Sequence, residues 1–143
     1  EIVLRGIIIA GMILIIVQFN RFMLLETERY KVNEMDYQIT RKVISEINEY
    51  EENTGNTVKN IAIYEDKSLS YSYYGIFSTG DTNIKAYSKD WCIIYIIKYY
   101  SGKHLEKIEK NTEMEKMFKE KDWTDFENEQ LVFDGDTLHF CKY

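Results

Sequence analysis

The sequence contains only two histidines, His104 and His139, and imidazole is the side chain that most readily binds metals or transfers protons near neutral pH. His104 follows a Ser-Gly turn, and His139 lies in the last apolar segment. Neither belongs to a helical histidine and carboxylate pair of the kind that binds zinc. The sequence therefore predicts no metal site and no cofactor.

The segment Asp134-Gly135-Asp136 resembles part of a calcium loop. The further oxygen ligands and the bidentate glutamate of such a loop are missing after it. Asp-Gly is also turn chemistry in its own right, so a tight turn is the preferred interpretation. The chain contains no nucleophile elbow, Gly-rich phosphate loop or metalloprotease helix motif. We therefore expect no catalytic residue in this chain.

Aromatic residues cluster in the stretch 65–85, which is rich in Ser, Gly and Asp and is predicted to be mainly loop. The cluster consists of Tyr71, Tyr73, Tyr74 and Phe77. Their rings could stack on a sugar or lie at a lipid interface. The alternative is that they cover the hydrophobic core. These four are the candidate binding residues.

A second group of polar residues follows the first apolar segment and consists of Arg29, Tyr30, Glu34 and Asp36. Acidic residues near a bilayer can act as general bases or bind a polar headgroup. A solvated helix face accounts for these residues equally well.

Composition excludes nucleic-acid-binding and disulfide-rich classes of protein. The 24 acidic residues outnumber the 18 basic ones, and no basic cluster is dense enough to follow a phosphate backbone. Cys92 and Cys141 lie far apart, each in an apolar stretch. They are too few for a disulfide framework or a cysteine zinc site, so we expect two free thiols, with one disulfide as the alternative.

An apolar run over residues 2–19 carries a single charge, at Arg5. About 18 residues is the lower limit for a bilayer-spanning helix, so we predict a transmembrane helix over residues 1–20, in contact with membrane lipid. A cleaved signal peptide is the alternative, but no small-x-small cleavage site follows. Because the first residue is Glu1 and not Met, and the apolar run starts directly after it, we expect the native protein to continue upstream. Arg21, Arg29 and Lys31 follow the span, which by the positive-inside rule favours a cytoplasmic location for the rest of the chain.

Hydrophobic periodicity predicts the elements that follow. Apolar residues recur every three or four positions, at Val32, Met35, Ile39, Val43, Ile47 and Tyr50. This pattern indicates an amphipathic helix over residues 21–52 that packs on the following domain. A polar turn sequence with Gly55 ends it, and residues 57–64 alternate like a strand.

The remaining elements complete a small domain over residues 53–143. Residues 86–100 are predicted as a buried helix and residues 103–109 as a strand with Leu105 and Ile108 inward. A capping box at Thr112 begins a helix over residues 113–119. Its apolar stripe consists of Met114, Met117 and Phe118, and Trp123 and Phe126 close over the same core. Asp134-Gly135-Asp136 forms the turn of a terminal β-hairpin.

The predicted fold class is α/β, with an N-terminal transmembrane helix and a mixed domain of about four strands and about three helices. If Trp91 or Phe133 lies in its core, replacement by alanine costs about 3 to 5 kcal/mol.

Short sequence pieces resemble one family of membrane proteins. These pieces are Asn20, Arg29-Tyr30 with Asp36, Ala86 with Trp91, Tyr99-Tyr100-Ser101-Gly102-Lys103, Lys121-Asp122-Trp123 and Phe133-Asp134-Gly135-Asp136-Thr137-Leu138. Together they resemble the C-terminal tail of bacterial polytopic Gtr-type glucosyltransferase-like membrane proteins.

The resemblance implies that many upstream membrane helices and loops carry the transfer chemistry, so no catalytic residue passes to this chain. It further implies a polyprenyl-phosphate-linked sugar as donor and a cell-surface glycan as acceptor. The tail would lie outside the cytoplasm, at the bacterial cytoplasmic membrane, contrary to the positive-inside count.

Three functional hypotheses follow. The first is a non-catalytic, extracytoplasmic domain of a polytopic glycosyltransferase-like protein that modifies cell-surface glycans. The second is a single-pass, membrane-anchored binding or sensor module. The third is a pilin-like assembly subunit, although Arg5 stands where such subunits carry an acidic residue.

Overall fold

The chain folds around one long helix, and the computed structural model describes residues 1–66, 85–123 and 125–142. Helix α1 (Ile2–Thr54) runs without a break. An 18-residue window near its N-terminus has a mean hydropathy of 2.5 and no buried residue, so α1 is long and apolar enough to cross a membrane. The candidate residues Tyr71, Tyr73, Tyr74 and Phe77 lie outside the described residues.

The second half of α1 packs on the rest of the chain through one stripe. Its buried residues are Val32, Asp36, Ile39, Thr40, Val43 and Ile47. This spacing confirms the predicted amphipathic helix and adds two polar residues to its buried face. The helix ends at Thr54, where Gly55 adopts a φ of 73° and its N–H donates to the carbonyl of Glu51 at 2.9 Å.

A four-stranded mixed sheet forms the centre of the domain. Its strands are β1 (Asn60–Glu65), β2 (Glu106–Lys107), β3 (Leu131–Asp134) and β4 (Thr137–Lys142), in the order β2-β1-β4-β3. Strand β1 is parallel to both of its neighbours, whereas β3 and β4 are antiparallel. The predicted terminal hairpin is confirmed, and its turn contains Gly135 with a φ of 58°.

Helices cover both faces of this sheet. On one face, Phe133 stacks on Tyr50 of α1 with ring centroids 4.5 Å apart. On the other face, Tyr64 packs against Phe118 of helix α3 (Thr112–Lys119), at 5.1 Å. Because successive strand residues point to opposite faces, each strand supplies both layers of the core. The chain is therefore an α/β fold, as predicted.

Helix α2 (Asp90–Ser101) differs from its prediction. Residues 86–88 form a separate 3-10 turn, and the α-helix begins only at Asp90. The predicted helix is confirmed, but its predicted burial is wrong, because only Ile93 and Ile97 of α2 are fully buried, whereas Trp91 is 66% exposed. Two apolar positions one turn apart are enough to hold one face of α2 on the core, and Trp91, Tyr95 and Tyr99 lie on the other face.

The segment that joins α2 to α3 also differs from its prediction. Strand β2 has two residues instead of seven, and Leu105 is buried, whereas Ile108 is 37% exposed. Helix α3 is capped one residue earlier than expected, since the Asn111 side chain accepts hydrogen bonds from the N–H groups of Glu113 and Met114. Phe118 and Trp123 are buried in the core, while Met114 and Phe126 are half-buried and Met117 is exposed.

Candidate functional site

The sheet topology directs attention to the carboxyl ends of β1 and β4. The chain passes from β1 to β2, which lies on one side of β1, whereas the later strand β4 lies on the other side of β1. The strand order therefore changes direction between β1 and β4. Ligands of open α/β sheets bind outside the carboxyl ends of the strands at such a reversal. This carboxyl edge carries Glu65, Asp66 and Lys142.

The carboxyl edge lies on the side of the domain that faces the apolar part of α1. At the opposite edge, the Tyr50 hydroxyl donates to the carbonyl of Gly135 at 2.9 Å, which places the amino end of β4 near the end of α1. The chain that enters α2 near the carboxyl edge instead contacts Asp36. Asp36 lies roughly 25 Å along α1 from Phe19, at about 1.5 Å of rise per residue.

Lys142 forms the centre of a charge network at this edge. Its Nζ lies 2.8 Å from Asp90 Oδ1 and 3.3 Å from Glu65 Oε1, and its side chain is only 8% exposed. Asp90 Oδ2 also accepts from Lys107 Nζ at 2.7 Å. Burial alone would raise the pKa of Asp90, but the hydrogen bonds from Lys107 and Lys142 outweigh it and hold this pKa below its usual value. The charges neutralise one another, which is the pattern of a structural network.

Asp36 belongs to the polar cluster that follows the apolar segment. The structure places this residue in the interior of the domain. Its Oδ2 accepts the backbone N–H of Ala86 at 2.8 Å, and the neighbouring Tyr87 hydroxyl donates to Thr40 Oγ1 at 2.9 Å. Burial raises the pKa of Asp36, against the lowering effects of the nearby backbone N–H groups and of Lys85. A solvated face does not describe Asp36, which fastens the start of the 3-10 turn to α1.

Replacement of Asp36 by alanine is expected to lower the free energy of unfolding by about 1 to 3 kcal/mol, because the half-buried N–H of Ala86 loses its acceptor. Since burial raises the folded-state pKa of Asp36, the wild-type chain gains stability as the pH falls through that pKa. The variant lacks this gain, so its deficit is larger at pH 4 than at pH 8 in urea unfolding. Glu34→Ala, on an exposed neighbour, is the control and changes stability by less than about 0.5 kcal/mol. An equal loss in both variants would contradict the assigned contact.

His139 takes part in a buried hydrogen-bond chain on the α3 side of the sheet. The Tyr64 hydroxyl accepts the N–H of Asn111 at 2.8 Å and forms a second hydrogen bond with His139 Nδ1 at 2.9 Å. Burial lowers the pKa of His139, which keeps the ring neutral. This geometry fixes the start of α3 on the sheet.

Tyr64→Phe is expected to cost about 1 to 3 kcal/mol of unfolding free energy, because it leaves His139 Nδ1 and the Asn111 N–H without this partner. Because its folded-state pKa is depressed, His139 contributes stability above its unfolded pKa near about 6.5, and this contribution is lost as the pH falls through the folded pKa. An NMR titration should show His139 accepting a proton below the ordinary histidine pKa of about 6.5. Titration of His139 at or above that value would contradict the buried neutral ring.

Among the described residues, the remaining chemistry-bearing side chains do not converge on one site. His104 is exposed, and His139 lies with β4 in the core. Within residues 1–66, 85–123 and 125–142, no group of three metal-ligating side chains is present. Cys92 and Cys141 are free, and burial raises the pKa of Cys141 to about 12, which makes that thiol unreactive.

Helix α2 carries four exposed aromatic residues, which we call the aromatic face. It consists of Trp91, Tyr95, Tyr99 and Tyr100. Trp91, Tyr95 and Tyr99 recur every four residues, a spacing that places them on one side of a helix. Sequence reasoning missed this surface because the segment was predicted to be buried, although the four-residue spacing was a signal that could have revealed it.

No family model, curated protein or solved structure matches this chain.

Proposed function

We propose that this chain is the non-catalytic, extracytoplasmic C-terminal domain, with the last membrane span, of a polytopic glycosyltransferase-like protein that modifies cell-surface glycans. The observation that carries the proposal is the unbroken helix α1, whose first part is apolar and exposed and whose second part belongs to the domain core. A continuous helix holds the domain at a set distance and orientation from a bilayer. The sequence resemblance supplies the class of parent protein.

The chemistry of the described residues supports a non-catalytic role. The charged side chains at the carboxyl edge are engaged with one another, as in the contact of Lys142 with Asp90. Asp36 contacts a backbone N–H, and His139 contacts the hydroxyl of Tyr64. These groups hold the fold together, so the transfer chemistry belongs to other parts of the proposed parent protein, as does the polyprenyl-phosphate-linked donor.

The size of the native protein tests this proposal. An antibody raised against residues 21–143 is used to probe the membrane fraction of the source cells. We expect a band several times larger than the 17.1 kDa of this chain. A band near that mass would overturn the proposal in favour of a single-pass module.

The location of the domain is tested separately by cysteine labelling in intact cells. Cys92→Ser removes the half-buried thiol, and Lys116→Cys introduces an exposed one on α3. We expect a membrane-impermeant maleimide to label the introduced thiol without permeabilisation. The Cys92→Ser parent is the control for background. Labelling only after permeabilisation would place the domain in the cytoplasm, as the positive-inside count indicates.

A single-pass binding module is the second candidate, and the aromatic face favours it. Tyr99 is 82% exposed, and a row of exposed rings on a helix is a surface suited to contact with another molecule. The immunoblot distinguishes this candidate from the first. The pilin-like alternative has less support, because Arg5 occupies the position of the acidic residue typical of such subunits.

A further inference from the structure

A cationic groove lies beside the aromatic face on the surface of the domain. The groove has a volume of about 370 Å³ and is lined on α1 by Gln38, Arg41, Lys42 and Ser45. Arg41 and Lys42 lie three and four residues after Gln38, and Ser45 lies four and three residues after them, so all four share one side of the helix. All four have donor groups for hydrogen bonds.

Tyr37 links the cationic groove to the aromatic face. Its ring lies 5.4 Å from the ring of Tyr100, and the guanidinium carbon of Arg41 lies 5.9 Å from its centroid. Tyr100 in turn contacts Tyr99, with ring centroids 5.0 Å apart. The two features therefore form one continuous surface.

Each cation of the groove lies near an aromatic ring. Arg41 lies over Tyr37, and Lys42 Nζ lies 5.8 Å from the ring centroid of Phe126. In the part of the chain that the structure describes, neither cation forms an ion pair. A cation–π contact orients a charged group without cancelling its charge. Both cations thus remain able to bind an anion, in a chain of net charge −6.

Two glutamates lie near the groove, and each is engaged by a neutral side chain. Glu34 accepts from the Gln38 amide at 3.1 Å, and Glu46 accepts from the Asn128 amide at 2.8 Å. They reduce the positive potential of the groove but do not occupy its cations. The charge of the groove therefore suits a phosphate group, to which arginine donates in bidentate fashion.

The aromatic face suits the apolar faces of sugar rings. Trp91 is 66% exposed and Tyr95 is 67% exposed, and between Trp91 and Tyr100 the only charged residue is Lys98. Tyrosine and tryptophan combine a flat apolar ring with a polar group that can hydrogen-bond a hydroxyl. A ligand that covers both features must carry sugar rings and phosphate groups together.

We propose that this joint surface binds a phosphate-bearing glycan, with the phosphate in the cationic groove and the sugar rings on the aromatic face. The proposal rests on the proposed function, in which a cell-surface glycan is the acceptor. A lipid headgroup has the same phosphate chemistry, but the distance of the groove from the bilayer fits a lipid less well. Arg41 lies roughly 33 Å along α1 from Phe19, beyond a headgroup layer of about 5 to 8 Å when α1 stands upright in the bilayer.

Binding is tested with the full chain in nanodiscs of zwitterionic lipid. The probes are a phosphomannan and the same mannan without phosphate, and the dissociation constants are measured by titration calorimetry. We expect the phosphomannan to bind and the neutral mannan to bind at least about tenfold more weakly, a difference of about 1.4 kcal/mol. Equal affinity for the two polymers would overturn the phosphate subsite.

Substitutions on the surface distinguish binding in the groove from a general effect of the net charge of the chain. Arg41→Gln with Lys42→Gln is expected to weaken phosphomannan binding about tenfold or more. The matched control is Lys31→Gln with Lys116→Gln, which removes the same charge elsewhere and is expected to change the affinity less than about twofold. An equal loss in both double variants would show that net charge alone attracts the polymer, and would overturn the proposal.

Tyr99→Ala tests the aromatic half of the surface, and the high exposure of Tyr99 keeps the fold intact. We expect weaker binding of both polymers, because stacking does not depend on phosphate. Unchanged binding of both would overturn the assignment of sugar rings to this face. Binding to phosphatidylglycerol nanodiscs without binding to phosphomannan would assign the groove to lipid instead. Failure of glycan binding would leave the immunoblot of the native protein unaffected. It is therefore distinguishable from failure of the proposed function.

Discussion

Replacement of Trp123 by alanine is expected to lower the free energy of unfolding by about 3 to 5 kcal/mol, whereas the same replacement at Trp91 lowers it by less than about 1 kcal/mol. Trp123 is 7% exposed and packs against Phe118 with ring centroids 6.0 Å apart. Loss of its indole ring leaves a cavity beside α3. Trp91 is 66% exposed, so its removal uncovers little of the core.

The two tryptophan variants form a matched pair, since they differ in burial and not in chemistry. Urea unfolding of the full chain in detergent micelles, followed by circular dichroism, gives both free energies without relying on tryptophan emission. Similar losses at the two positions would contradict the placement of α2 with its aromatic face outward. Both tryptophans lie in segments rich in apolar residues, so in the sequence only the four-residue spacing of Trp91 with Tyr95 and Tyr99 distinguishes them.

The elements with strong local signals were predictable. The stripe of α1 has a period of three to four residues over several turns, and Gly55 supplies the left-handed residue that ends the helix. The terminal hairpin was equally clear, because Asp134-Gly135-Asp136 separates two apolar strands. In these segments, local preference and tertiary packing favour the same conformation.

The candidate site was not predictable in the same way, because its contacts join distant parts of the sequence. Asp36 meets Ala86 across 50 residues, and Lys142 meets Asp90 across 52 residues. Each residue is an ordinary charged side chain in its own segment. Their burial depends on how β1 and β4 pair, and no local pattern encodes that pairing.

The prediction that α2 is buried was wrong for a related reason. A run of isoleucine and aromatic residues predicts burial by composition, but composition does not say how many faces of a helix have neighbours. Here Ile93 and Ile97 pack on the core, and the exposed aromatic side chains of α2 line the surface next to the cationic groove. The failed prediction therefore indicates where an interaction surface is to be sought.

Replacement of Lys142 by methionine is expected to lower the free energy of unfolding by about 3 kcal/mol at pH 7, because it removes the buried partner of Glu65 and Asp90. Lys107→Met is the control, since Lys107 is half exposed and its pair with Asp90 is worth less than about 1 kcal/mol. Urea unfolding of the full chain in micelles measures both losses. Equal losses in the two variants would contradict a dominant role for Lys142.

The pH dependence gives this prediction a second readout. Because the lysine contacts hold the folded-state pKa of Asp90 below its unfolded value, the stability they contribute is present above an unfolded pKa of about 3.9. It is lost as the pH falls through the folded-state pKa, where the carboxyl group becomes neutral in both states. The difference between wild type and Lys142→Met should therefore shrink from pH 7 to pH 2. A constant difference over that range would contradict a stabilising role for the charge of Lys142.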